Sequence, residues 1–143
     1  MRITKEFTFE MSHVLTGYDG ACSQIHGHSY RMAVTLEGEP CRDAASPKRG
    51  MVLDFGLLKR IVGECVAGRF DHSLVILVDE RTEELRRVLR KHFERVREVD
   101  FQPTCELLAV HFAGLVKKEL PEGVRLVMLR LYETATSYAD HIE

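Results

Sequence analysis

The chain contains no tryptophan, and only four prolines interrupt its 143 residues. It also lacks any apolar run approaching the ~18 residues that a membrane span needs. The first residues, MRITKEFTFE, hold no stretch resembling the apolar region of a secretory signal, so the expectation is a cytoplasmic protein without membrane contact. An excess of charge of one sign is missing too. A net charge of −2 gives no electrostatic reason to expect nucleic acid or an anionic membrane surface as a partner. Cysteine is scarce, and Cys22, Cys41, Cys65 and Cys105 follow no disulfide-scaffold spacing, which points to reduced thiols. Repeats and low-complexity stretches are absent. What is present is an ordinary globular mixture, 45% apolar and 29% charged, expected to form one domain over residues 1–143.

In RITKEFTFEM the apolar side chains Ile3, Phe7, Phe9 and Met11 fall on alternate positions, the pattern of a half-buried strand. His13 shares their parity just beyond. After the loop TGYDGACSQ, a second alternation places Tyr30, Met32, Val34 and Leu36 on one face. MVLDFGLLKRIVGECVAGRF reads as a short strand turning into a helix that Asp54 caps, with a stripe of Phe55, Leu58, Ile61, Val62, Cys65 and Val66. Leu85, Val88, Leu89, His92, Phe93 and Val96 recur at three- and four-residue steps and predict a charged helix over 82–96. REVDF is a further short strand, and Thr104 caps a third helix that Pro121 follows. VRLVMLRLYET is apolar on both faces, as for a strand covered on both sides, here by the core and a partner subunit. The elements together predict an α+β domain with an antiparallel sheet.

CSQIHGHSYR raises the chemical question. On a strand, residues i and i+2 project from one face, so His26 and His28 can converge on one metal ion. If the first two strands pair as a long-looped hairpin, His13 comes to lie beside them. Three histidines and an open position describe a catalytic zinc site, whereas Cys22 as fourth ligand would close it into a structural one. Cys22 could equally serve as a base or nucleophile, since a thiol near a cation loses its proton more easily. The adjacent Asp71 and His72 offer a proton-transfer pair in which the carboxylate orients the imidazole. Glu133 ends an apolar strand, where a carboxylate needs water or a task. Glu106, in the first turn of a helix, complements the helix dipole.

In order along the chain, FTFEMSH, CSQIHGHSYR, MVLDFGLLK, FDHSLV, DFQPTCELLA and LYETATSYA resemble the motifs of the 6-pyruvoyl-tetrahydropterin synthase family. Three residues between the cysteine and His-Gly-His resemble the bacterial branch that makes 6-carboxy-tetrahydropterin for queuosine. A further branch carries a glutamate just before the histidines, where this chain has Ser23 and Gln24. The resemblance implies a tunnelling fold, a sheet backed by helices that assembles into a barrel as a homo-oligomer, trimer or hexamer. It implies Zn2+ on His13, His26 and His28, and Cys22 as general base assisted by Asp71 and His72 of the next subunit. It also implies a pterin anchored by Glu133, with Glu106 and the backbone near Thr104 completing the pocket. The implied reaction converts 7,8-dihydroneopterin triphosphate to 6-carboxy-5,6,7,8-tetrahydropterin, acetaldehyde and triphosphate. Triphosphate elimination to the 6-pyruvoyl product, and a non-catalytic zinc- or pterin-binding module, are the alternatives. The charged helix over 82–96 is longer than this branch usually carries.

Overall fold

Two long strands, β1 (Arg2–His13) and β2 (His26–Gly38), form the antiparallel hairpin on which everything else is arranged. The computed structural model describes residues 1–143. Alternation sets the register: Phe7 faces Met32, Phe9 faces Tyr30 and Met11 faces His28, so both apolar rows share one face. β5 (Val124–Tyr132) pairs with the free side of β2, and β6 (Tyr138–Ile142) pairs with β5. On the other side β3 (Ser73–Leu77) joins the end of β1, and β4 (Val96–Val99) joins β3. The six-stranded order is β4-β3-β1-β2-β5-β6.

The antiparallel expectation is therefore corrected at one end. β1–β3 and β3–β4 pair in parallel, which makes the sheet mixed. Parallel neighbours require crossover connections, and the helical segments 55–70 and 80–92 provide them.

Helix α1 (Phe55–Val62), a π turn (Gly63–Ala67) and the short α2 (Gly68–Phe70) run on from one another, and α4 (Cys105–Lys118) lies beside them. The main core consists of their apolar faces against Phe9, Tyr30, Met32, Val34, Leu36, Leu129 and Leu131. Asp54 caps α1 as predicted, accepting from the Gly56 amide at 2.7 Å. Met51–Leu53, expected as a strand, instead belongs to a loop in which the Met51 carbonyl accepts from the Cys41 amide.

Helix α3 (Glu83–His92) covers the opposite face of the sheet. Leu89 packs there with Val14 and Ile76, whereas Val75 points into the main core. The predicted helix over 82–96 is too long at its C-terminal end. Phe93 is extended, and Val96 opens β4 opposite Leu74. The charges of α3 are spent partly on the sheet, since Arg86 and Arg90 reach Glu98 of β4 at 2.8 and 3.0 Å.

A break in register accounts for part of the apolar pattern of β5. Thr35 pairs with Met128 and Leu36 with Leu126, so Val127 is an extra residue, a bulge. The bulge reverses parity, and Leu126 before it and Leu129 and Leu131 after it all enter the same core. No helix of the chain is long and apolar enough to cross a membrane.

Candidate metal centre

The hairpin register brings the last residue of β1 opposite the first of β2, so His13 and His26 face each other directly. His28, two residues on, projects from the same face. Gly27 between them lies so close to β1 that an added Cβ would stand 3.1 Å from the Met11 carbonyl oxygen. The three imidazole centroids are 4.5 to 5.2 Å apart, and one nitrogen from each lies within 4.8 Å of the others.

Hydrogen bonding fixes which nitrogens these are. His13 Nδ1 donates to the Pro103 carbonyl at 2.7 Å, and His26 Nδ1 donates to the Gln24 carbonyl at 2.8 Å. A carbonyl only accepts, so in the neutral rings both protons sit on Nδ1 and both Nε2 atoms carry lone pairs. Those two Nε2 atoms are 3.1 Å apart with no proton to share between them. His28 Nε2 is buried without any partner. The lone pairs of His13 and His26, with the unpartnered His28 nitrogen beside them, repel each other unless a cation lies among them. Two imidazoles on a tetrahedral zinc, at about 2.05 Å per bond, would hold their nitrogens about 3.3 Å apart. Burial lowers the pKa of His13 and of His28, keeping both rings neutral and able to ligate. Backbone carbonyls behind Nδ1 are the usual second support of ligating histidines. The residues present fit a metal ion.

Glu133 follows β5 in the turn to β6, where its amide donates to Ser137 and Thr134 Oγ1 accepts from the Thr136 and Ser137 amides. Its Oε1 lies 3.6 Å from His13 Nε2 and 3.9 Å from His28 Nε2. Beside it the Tyr30 hydroxyl is buried and makes no hydrogen bond. Burial first, and then the Glu133 carboxylate, push this phenol's pKa upward, so it remains a donor. The Cys105 thiol donates to the Leu131 carbonyl at 3.2 Å and is pushed up to about 11 by burial and by Glu133. Thr104 caps α4 by accepting from the Leu107 amide at 3.4 Å, and Glu106 is exposed on its first turn.

Cys22 lies in a single 3-10 turn (Ala21–Ser23), held by its carbonyl accepting from Leu15. The converging ligand set consists of the three imidazoles, and the Cys22 thiol is outside it. Asp71 and His72 lie elsewhere. Asp71 Oδ1 is 3.0 Å from His72 Nδ1 and accepts from the Glu10 amide at 2.9 Å. That amide is the first cause of the lowered Asp71 pKa. His72, whose side chain is 72% exposed, opens into a cleft with Glu10, Ser12, Gly27 and Ser29, which Met11 and His28 also border. By strand alternation the imidazoles of His13, His26 and His28 project from the face of Met11, and Ser12 and Ser29 project from the opposite one.

Sequence reading missed Tyr30, which the alternation assigns to the core. Its signal was its parity with His26 and His28. The carbonyls of Gln24 and Pro103 were beyond reach because no side chain marks them.

The family model for 6-pyruvoyl tetrahydropterin synthase matches residues 2–143. A protein of Haemophilus influenzae named 6-carboxy-5,6,7,8-tetrahydropterin synthase is 34% identical over 143 residues, covering 99% of both chains. Its namesake in Aquifex aeolicus is also 34% identical, over 163 residues covering 99% of this chain and 97% of its own. Among solved structures, an uncharacterized protein of Wolinella succinogenes superposes with a TM-score of 0.78 at 24% identity, over 100% of this chain and 98% of that one. The 6-pyruvoyl tetrahydropterin synthase of Caenorhabditis elegans gives 0.69 at 22%, over 100% and 95%. Both likenesses concern the fold, which is the tunnelling fold. With its model matched almost from end to end, the chain belongs to the 6-pyruvoyl tetrahydropterin synthase family.

Proposed function

We propose that this protein is a zinc-dependent lyase converting 7,8-dihydroneopterin triphosphate and one water to 6-carboxy-5,6,7,8-tetrahydropterin, acetaldehyde and triphosphate, a step toward queuosine. The names of its full-length relatives support the product. The convergence of three imidazole nitrogens, those of His13 and His26 left unprotonated by the hydrogen bonds of Nδ1, is the observation that carries the chemistry. His13, His26 and His28 would hold the metal, and three nitrogen donors of this kind suit zinc. When bound, the metal supplies Lewis acidity to oxygens of the substrate side chain.

The remaining steps fall to the protein's own groups. Glu133 accepts from N–H groups of the pterin ring and fixes the side chain against the metal, with Glu106 and the backbone at Thr104 closing the ring pocket. Cys22, which is not among the ligands, takes the proton from the substrate side chain. His72 receives and returns protons at Nε2, because Nδ1–H faces the Asp71 carboxylate. His72 opens into the cleft with Ser12 and Ser29, whose side chains project from the sheet face opposite to that of the histidine trio. This supports a site shared between two copies, and hence a homo-oligomeric barrel, trimer or hexamer, built from domains spanning 1–143. The four free thiols support a reducing, cytoplasmic setting.

Incubation of the zinc-loaded protein with 7,8-dihydroneopterin triphosphate tests the reading. Acetaldehyde and 6-carboxy-tetrahydropterin should appear in equal amounts. Accumulation of the 6-pyruvoyl compound without acetaldehyde would move the protein to the other activity of the family, and no turnover would leave only a binding module.

A further inference from the structure

Asp71 and His72 sit on a corner that the chain does not adopt by default. His72 has φ of 54°, the left-handed region that a non-glycine residue enters only when its surroundings hold it there. The restraints on that corner can be named. The His72 amide donates to the Glu10 carbonyl at 2.6 Å, and the Glu10 amide returns a bond to Asp71 Oδ1 at 2.9 Å. The Ser73 hydroxyl donates to the Phe70 carbonyl at 2.6 Å. The last restraint comes from far along the sequence. Arg95 Nε donates to the Asp71 carbonyl at 2.9 Å, and its Nη2 donates to the Gly68 carbonyl at 3.0 Å.

We propose that Arg95 is a positioning residue that locks the Asp71–His72 corner through this two-pronged grip, and that the α3–β4 connection delivers it there. The proposal rests on the reading of Asp71–His72 as the proton-transfer pair. Three observations carry it. The two carbonyls belong to the first residue of α2 and to Asp71 just after it, so one planar guanidinium spans the turn that leads into His72. The Arg95 carbonyl also accepts from the Leu74 amide at 2.9 Å, which ties the same residue to the strand that leaves the corner. The guanidinium charge further favours the ionised Asp71, behind the Glu10 amide and the His72 imidazole. The charged segment before β4, which carries no group of the proposed site, thereby acquires a function: it holds a proton-transfer pair at a fixed aim. A small error in that aim is expensive, since a misplacement of about 1 Å can slow an enzyme on the order of a hundredfold.

The test uses the zinc-loaded oligomer and four variants, Arg95→Met, Arg95→Lys, His72→Ala and Cys22→Ala. Arg95→Met removes both bonds, and kcat should fall about tenfold or more while KM and zinc content stay within twofold of the parent. Arg95→Lys keeps the charge but reaches one carbonyl, so its kcat should lie between the two; it serves alone if the methionine variant does not fold. A purely structural loss would instead lower the melting temperature and zinc content along with kcat. Complementation gives the discriminating readout. Arg95→Met mixed with Cys22→Ala should regain activity, because the two lesions lie on different contributors to the shared site. Arg95→Met mixed with His72→Ala should not regain it. Parental kcat in Arg95→Met beside an inactive His72→Ala overturns the role of Arg95 and leaves the proton-transfer pair standing. Parental turnover in His72→Ala overturns the reading beneath it.

Discussion

Replacing Glu133 by glutamine alters one oxygen of a side chain that is only 24% exposed and faces two of the three metal-site histidines. The carboxylate can accept on both oxygens from a pterin ring edge, whereas the amide accepts on one and presents a donor on the other. A hydrogen bond to a charged group contributes about 1.5–3 kcal/mol, and every ~1.4 kcal/mol is a factor of ten in affinity. Loss of one such bond therefore predicts pterin binding weaker by roughly 10- to 150-fold. Titration calorimetry with dihydroneopterin on the zinc-loaded variant measures it, with melting temperature and zinc content as controls. Affinity equal to the parent's in a folded, zinc-loaded variant would refute the anchor. The 3.6 and 3.9 Å distances to His13 and His28 give the zinc control a separate meaning. If zinc leaves with the charge, Glu133 is a metal ligand and the anchor lies elsewhere.

The other expected outcomes concern groups around that centre. Tyr30→Phe removes a buried hydroxyl without a partner, so thermal stability should hold or rise by up to about 1 kcal/mol, while pterin affinity falls. A clear drop in melting temperature would mean that the hydroxyl is already engaged. Burial lowers the pKa of His13, His28 and His111. Below about pH 6.5 the unfolded chain binds protons that the folded one refuses, so the metal-free protein should lose stability as pH falls from there. Urea midpoints in EDTA that match at about pH 7.5 and 5.5 would contradict this. Cys22→Ala and His72→Ala should each be inactive alone and partly active as mixed oligomers verified by mass. Hybrids as dead as their parents would place both groups within one chain.

The parts of the molecule legible in the sequence are those where one period governs a long segment. Alternation in 2–13 and 26–38 yields the hairpin, and the hairpin alone brings His13 to His26. Helical stripes with Asp54 and Thr104 at their starts yield α1 and α4. Short segments escaped. Ser73–Leu77 is too brief and too evenly apolar to reveal a parallel strand, and Tyr138–Ile142, an edge strand with no buried residue, has no apolar row to betray it. The stripe through Phe93 and Val96 continues by coincidence beyond the end of α3, where the chain has already turned into β4. Val127 shows how a bulge shifts the parity of an apolar row within one strand. The grip of Arg95 on the Asp71 corner bridges 24 residues and ends on backbone carbonyls, which no pattern of side chains records.

Zinc stoichiometry measured beside turnover, on the parent, His26→Ala and Cys22→Ala proteins, reaches the central claim most directly. The converging lone pairs of the histidines, with the Cys22 thiol outside their circle, predict about one zinc per chain in the parent and in Cys22→Ala. They predict little zinc in His26→Ala, and turnover only in the parent. Loss of zinc from Cys22→Ala would contradict the account, because the thiol would then be a fourth ligand closing a structural site.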